Sequence, residues 1–219
     1  MAVKFYKSEN QVPLEMHKVR MIQKLELLPV EERLKKIQAA GNNTFLLQNR
    51  DIYMDMLTDS GVNGMSDLQF AAMMRADDSY AGSETFNRVK AAVKEVFGTE
   101  NVLPTHQGRA CENILAEAYV KPGKVALMNF HFTTTKAHIT RMGGSVEELV
   151  DKKGLLPQSN DPFKGDFNLQ NLRTRIDEIG AENVAFVRVE AGTNLIGGQP
   201  VSLENMLAVT DICHDKGVK

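Results

Sequence analysis

From Asp51 onward, short apolar runs alternate with helix-patterned segments, and this alternation restricts the fold more than any other feature of the chain. Val125–Met128 is an unbroken apolar run of strand length, the pattern of a buried strand, and Val184–Val189, apolar but for Arg188, reads as another. Val146–Val150, Ile52–Leu57 and Val102–Leu103 read as further strands, and Gly217-Val218-Lys219 as one just beginning. Between them lie segments with the spacing of amphipathic helices, such as Phe86, Val89, Val93, Val96 and Phe97, or Leu169, Leu172, Ile176 and Ile179. Strand, helix and strand in repetition predict an α/β fold with a mainly parallel sheet and right-handed crossovers. A strand that starts at the last residue further suggests a truncated chain.

Local chemistry marks the helix boundaries. Pro29 precedes a helix with Glu31 and Glu32 early, Lys35 and Lys36 late and Gly41 as its stop, an order that suits the helix dipole. Ser66, followed by Gln69, forms a capping box, and Ser83, Asn168 and Ser202 sit where N-caps are needed. Gly98 closes the helix opened by Ser83. Further helices are expected from Ala110 to Tyr119, after Thr134, and from Ser202 to Lys216, with a charged helical arm over Val12–Leu25. Residues 1–48 read as an N-terminal arm with part of a small domain, and 49–219 as the first part of a larger domain.

Composition excludes some classes of function. A net charge of −2, with Lys and Arg dispersed, provides no basic field for nucleic acid. No apolar run approaches the roughly 18 residues of a membrane span, and Met1–Gln11 lacks the apolar stretch of a secretory signal. Cys111 and Cys213 are isolated thiols, which suits the cytoplasm. The histidines do not assemble the three or four ligands that a zinc site needs.

Four loop segments follow strands or open helices, where ligands of open α/β sheets bind. Pro104-Thr105-His106-Gln107-Gly108-Arg109 offers amides at a helix N-terminus, a glycine that permits close approach and a cation. It is either an anion site or an ordinary strand-to-helix turn. Asn129-Phe130-His131-Phe132-Thr133-Thr134-Thr135 holds an aromatic for stacking on a flat ring, or else a core Phe and a threonine cap. Asp77-Asp78-Ser79-Tyr80-Ala81-Gly82-Ser83 contains a tyrosine suited to proton transfer or to packing. Thr193–Pro200 is a glycine-rich loop whose Asn194 either bonds a ligand or shapes a turn.

Six motifs taken in order resemble the tyrosine phenol-lyase and tryptophanase family. They are Leu57-Thr58-Asp59-Ser60-Gly61, Tyr80-Ala81-Gly82-Ser83, Pro104–Arg109, Phe132–Thr135, Phe163-Lys164-Gly165-Asp166 and Gly197–Ser202, in register from about Leu28 to Lys219. The resemblance implies the aspartate-aminotransferase fold, pyridoxal 5'-phosphate as cofactor, and a homotetramer with sites shared between paired subunits. It implies that Gln107, Gly108 and Arg109 cradle the cofactor phosphate, Phe132 stacks on the pyridine ring and Asn194 bonds its 3-oxygen. It places Thr58 and Ser60 by the substrate carboxylate, and makes Tyr80 the general acid for the leaving group. Gly61 and Asp78 match a potassium site, although the family usually carries Glu at the second position.

The resemblance favours cleavage of L-tyrosine to phenol, pyruvate and ammonia. Thr133 follows the stacking Phe, where tryptophanases tend to have Asp; threonine can donate and accept toward a phenol, whereas an indole N–H only donates. Tryptophan cleavage to indole is the alternative. The family's ring-nitrogen aspartate, Schiff-base lysine and substrate arginines would all lie past Lys219, so the chain alone is expected to be inactive. A non-catalytic remnant or split-subunit partner is the competing reading from another class, and a nucleotide module is disfavoured by the lack of a Walker or Gly-x-Gly-x-x-Gly sequence.

Overall fold

The computed structural model describes residues 26–55 and 65–219, which fall into two compact units, 1–82 and 83–219. The expected arm over Val12–Leu25 lies outside the described residues.

In the first unit, α1 (Val30–Ala39) starts directly after Pro29, carries Glu31 and Glu32 in its first turn and Lys36 in its last, and ends before Gly41 at φ 63°. Lys36 pairs with Asp51 at 3.3 Å, tying the helix to the chain that follows. The second helix, α2 (Asp67–Met74), begins where Ser66 Oγ accepts the Gln69 amide at 3.0 Å. The strand expected over Ile52–Leu57 is not formed at residues 52–55, and 56–57 lie outside the described residues.

In the second unit, α3 (Glu84–Phe97) is capped by Ser83 and closed by Gly98 in the left-handed conformation at φ 71°. There follow α4 (Gly108–Tyr119), β1 (Val125–Met128), α5 (Thr133–Arg141), β2 (Ser145–Glu148), α6 (Leu169–Ile179) and β3 (Val184–Arg188). A small antiparallel pair, β4 (Gly192–Thr193) and β5 (Gln199–Pro200), precedes α7 (Leu203–Lys216). Strands β1, β2 and β3 form a parallel sheet in the order β2-β1-β3, so α5 links neighbours and the α6 connection carries the chain across β1.

The two faces of β1 build two cores, because successive strand residues point oppositely. Leu127 packs with Leu172 and Ile176 of α6 and with Val209 and Ile212 of α7. Ala126 and Met128 pack with Ala116 of α4 and Ile139 of α5. Each leucine or isoleucine fully withdrawn from water here contributes ~2 kcal/mol. The β1–β3 register shifts after Val125, pairing Ala126 with Phe186, so Ala185 and Phe186 both face the α4–α5 side.

Val102–Leu103, expected as a strand, is unpaired chain leading into α4, and α4 starts at Gly108 rather than Ala110. Among the described residues no neighbouring strand offers this short segment a ladder, so its apolar content alone does not make it β. On α3, Val89, Val96 and Phe97 recur at helical spacing yet stand exposed. Gly217 caps α7, and beyond it the Val187 N–H donates to the Lys219 carbonyl at 2.7 Å, one backbone bond on the outer edge of β3.

Candidate active site

The second unit gathers its polar chemistry at the carboxyl edge of the sheet. Helix α5 starts there because it follows β1 directly, and α4 starts there because it runs back toward the beginning of β1. At α4, Gln107 is the extended N-cap residue but makes no capping side-chain bond, and no acid lies in the first turn. The Gly108, Arg109 and Ala110 positions therefore combine the positive end of the helix dipole, a flexible approach and a guanidinium at an exposed edge. Phe132, half-buried, is the N-cap residue of α5 and also contributes no capping side-chain bond. Thr133, the first residue of that helix, is exposed.

Glu112 joins the two helix starts. Its carboxylate accepts hydrogen bonds from the Thr134 and Thr135 hydroxyls, one on each oxygen. Behind this bridge a cavity of about 370 Å³ separates α4 from β3, bordered by Leu115, Phe186 and the Glu112–Thr135 contact. The α4 and α5 starts are held to each other by these polar bonds, and Ala116 and Ile139 pack further along the helices.

A second hub lies where β1 ends. Asn129 is fully buried and spends its side chain on three backbone bonds. It donates to the carbonyls of Gly165 at 2.8 Å and Glu190 at 2.9 Å, and accepts from the Glu190 N–H at 2.9 Å. The Glu190 carboxylate in turn pairs with Arg188 at 2.8 Å and accepts the Asn194 N–H at 3.3 Å. Asn194 is thereby tied, through Glu190, to the edge that carries Phe132. Nearby, His131 and Glu148 pair across the ends of β1 and β2.

Two of the sequence motifs prove to be each other's structural partners. A Cβ on Gly165 would meet the carbonyls of Gln199 and Pro200 at 2.7 and 2.8 Å, so only glycine fits. The Gly165 N–H donates to Pro200 O at 2.8 Å, and Asp166 accepts from both the Ser202 N–H at 2.7 Å and the Ser202 hydroxyl at 3.2 Å. Phe163–Asp166 and Gly197–Ser202 lock together and orient the start of α7.

Gln107, Gly108, Arg109, Phe132, Thr133 and Asn194 accordingly come to one edge of one unit. Tyr80, fully exposed, and Asp78, also exposed, belong to the other unit. Thr58, Ser60 and Gly61 lie outside the described residues. Among the described residues no cluster of three or more His, Cys, Asp or Glu is placed to hold a metal ion. Nor is any described helix long and apolar enough to cross a membrane. Sequence reasoning overlooked Glu112, which reads as a solvated helix charge, and Glu190. It noted Asn129 only as the first residue of a motif, although a polar residue directly after a buried apolar strand is the available signal.

Comparison with known proteins places this edge in context. Residues 55–219 match the family model described as beta-eliminating lyase. The chain is 42% identical over 207 residues to a tyrosine phenol-lyase of Fusobacterium nucleatum, covering 94% of this chain and 45% of that protein. It is 40% identical over 210 residues to a tyrosine phenol-lyase of Clostridium tetani, covering 96% and 46% respectively. It thus spans about half the length of the curated relatives it matches. Among solved structures, an archaeal alanine:glyoxylate aminotransferase overlaps with a TM-score of 0.46 at 20% identity, covering 60% of this chain and 32% of that one. The parallel sheet described above, and not that overlap, carries the statement of fold. With a family match over residues 55–219, three quarters of its length, the chain belongs to the beta-eliminating lyase family.

Proposed function

We propose that this chain contributes the phosphate-binding and ring-stacking part of a pyridoxal-phosphate-dependent lyase that cleaves L-tyrosine to phenol, pyruvate and ammonia. The observation that carries the reading is the meeting of two helix starts, α4 and α5, at the carboxyl edge of a parallel sheet, with Arg109 on one and Phe132 on the other. The donor set fits the cofactor: main-chain amides at α4, no acid in its first turn and a guanidinium suit a phosphate dianion. Beside them a half-buried aromatic suits a planar ring.

When bound, the cofactor supplies an electron sink for the charge left on the substrate α-carbon. The residues of this chain supply position and protons. Gln107, Gly108 and Arg109 hold the phosphate, Phe132 covers one face of the ring, and Asn194 donates to its 3-oxygen. Thr133 faces the phenol hydroxyl, which it can serve as donor and acceptor, and this favours tyrosine over tryptophan. Tyr80 gives its proton to the ring carbon of the leaving group, and Thr58 and Ser60 orient the substrate carboxylate. Gly61 and Asp78 hold a monovalent cation, and the working enzyme is a homotetramer. The unpaired thiols, Cys111 exposed and Cys213 half-buried with its thiol pKa pushed up by burial, support placing it in the cytoplasm.

The test is product analysis on the protein from its native source, incubated with pyridoxal phosphate and either amino acid. Phenol and pyruvate in equal amounts from tyrosine are expected. Indole from tryptophan without phenol from tyrosine would replace the reading with tryptophanase, and no release from either would support a non-catalytic role. Stimulation by potassium over sodium tests the cation site.

A further inference from the structure

We propose that Glu112 is the positioning residue of the phosphate edge: by accepting from both Thr134 and Thr135 it fixes the start of α5 against the start of α4. This inference rests on the phosphate site proposed above. Three observations support it. The carboxylate uses one oxygen for each hydroxyl, so a single side chain defines both the separation and the rotation of two helix ends. The apolar contacts between the two helices, Ala116 against Ile139, lie further along them, so at the helix starts the Glu112 bonds are the specific link. The two threonines directly follow Phe132 and Thr133, so the same bonds set where the stacking aromatic and the substrate-facing hydroxyl stand relative to Gly108 and Arg109.

An acid one turn into α4 has an electrostatic cost for a site that takes an anion, since like charges repel across short distances. Two hydroxyl donors, one on each oxygen, spread that charge and leave Glu112 a geometric part. Geometry and charge can be separated by substitution. Glu112→Gln loses the charge but keeps the bridge, because the amide accepts from one threonine and donates to the other. Glu112→Ala loses both. Thr134→Val/Thr135→Val keeps the charge and removes the bridge with little change of volume.

The experiment is equilibrium dialysis of the 219-residue chain against pyridoxal phosphate, phosphate-free pyridoxal and inorganic phosphate. For pyridoxal phosphate, Glu112→Ala and the double valine variant should weaken binding roughly tenfold or more, the size expected for losing charge-assisted hydrogen bonds. Glu112→Gln should stay within about threefold of wild type, below the ~10-fold that one lost bond of this kind brings. Pyridoxal phosphate, which spans both helix starts, should lose most, whereas inorganic phosphate and pyridoxal, each meeting one helix start, should change less. Equal losses in the Gln and Ala variants would make charge the operative property and overturn the positioning role, as would unchanged binding in the Ala and valine variants. Should wild type fail to bind either phosphate compound while remaining folded, the phosphate site itself falls, and this inference with it.

Discussion

Asn129→Leu should destabilise the second unit far more than its single changed side chain suggests. The native amide is fully buried and satisfies three backbone groups: the Gly165 carbonyl, the Glu190 carbonyl and the Glu190 N–H. Leucine is similar in shape, so little of the cost comes from packing. The cost comes from leaving the buried Gly165 carbonyl and the part-buried Glu190 carbonyl and N–H without partners, up to ~1–3 kcal/mol for each. Relaxation and water entry recover some of this, and a net loss of ~4 kcal/mol is expected. In a chain of 219 residues that corresponds to a fall of roughly 10 °C in Tm. Thermal and urea unfolding followed by circular dichroism measure it, with the urea slope checked for a change in the denatured state. Asn129→Asp sharpens the test, because it sets a carboxylate oxygen against two carbonyls. Burial and those carbonyls raise the folded pKa of the introduced carboxyl above its unfolded value. Its destabilisation is therefore greatest at neutral pH and relieved as pH falls into the acid range, where the protonated group donates again. A loss below ~1 kcal/mol for Asn129→Leu, inside the range of an ordinary surface change, would refute the hub described here.

Gly165→Ala drives a Cβ to within 2.7 and 2.8 Å of two carbonyls and should cost ~2–3 kcal/mol in the same unfolding assay. Gly108→Ala meets nothing within 4 Å and should leave stability unchanged or raise it by up to ~1 kcal/mol, yet weaken phosphate binding if the amides must be closely approached. Asp161 should titrate below the ordinary carboxylate range, first because the Phe163 N–H donates to it and second because Lys153 pairs with it. Because its folded pKa is depressed, its contribution is present above the unfolded value and is lost as pH falls through the folded one. Carbon NMR of that carboxyl reads it directly, and Lys153→Met should recover only part of the shift. In the intact enzyme, Tyr80→Phe should retain exchange of the substrate α-hydrogen with D2O but lose phenol release; release at the wild-type rate would exclude Tyr80 as proton donor.

Helix boundaries were legible in the sequence because a cap is a bond between residues three or four apart. Ser66, Ser83, Asn168 and Ser202 each accept the amide their spacing promises, and Gly41, Gly98 and Gly217 end helices in the left-handed conformation. The strands β1 and β3 were legible for a related reason, since the apolar runs Val125–Met128 and Val184–Val187 call for cover by other segments. The motif order pointed to the family, and it nominated Gln107–Arg109, Phe132 and Asn194 as the candidate site residues that the fold brings to one edge. Local pattern did not decide which apolar runs become strands. Val102–Leu103 remains unpaired because a strand exists only if a distant partner supplies its ladder. Nor could spacing show that Glu112 bridges two helix starts, that Asn129 spans residues 36 and 61 positions away, or that Gly165 is pressed against Gln199 and Pro200. These contacts depend on tertiary packing, which brings segments remote in sequence together at the edge of the sheet. The chain's local chemistry determines its elements and suggests its ligands; the tertiary fold decides which polar side chains meet, because buried backbone groups such as those of Gly165 and Phe167 find their partners in Asn129 and Asn205, remote in sequence.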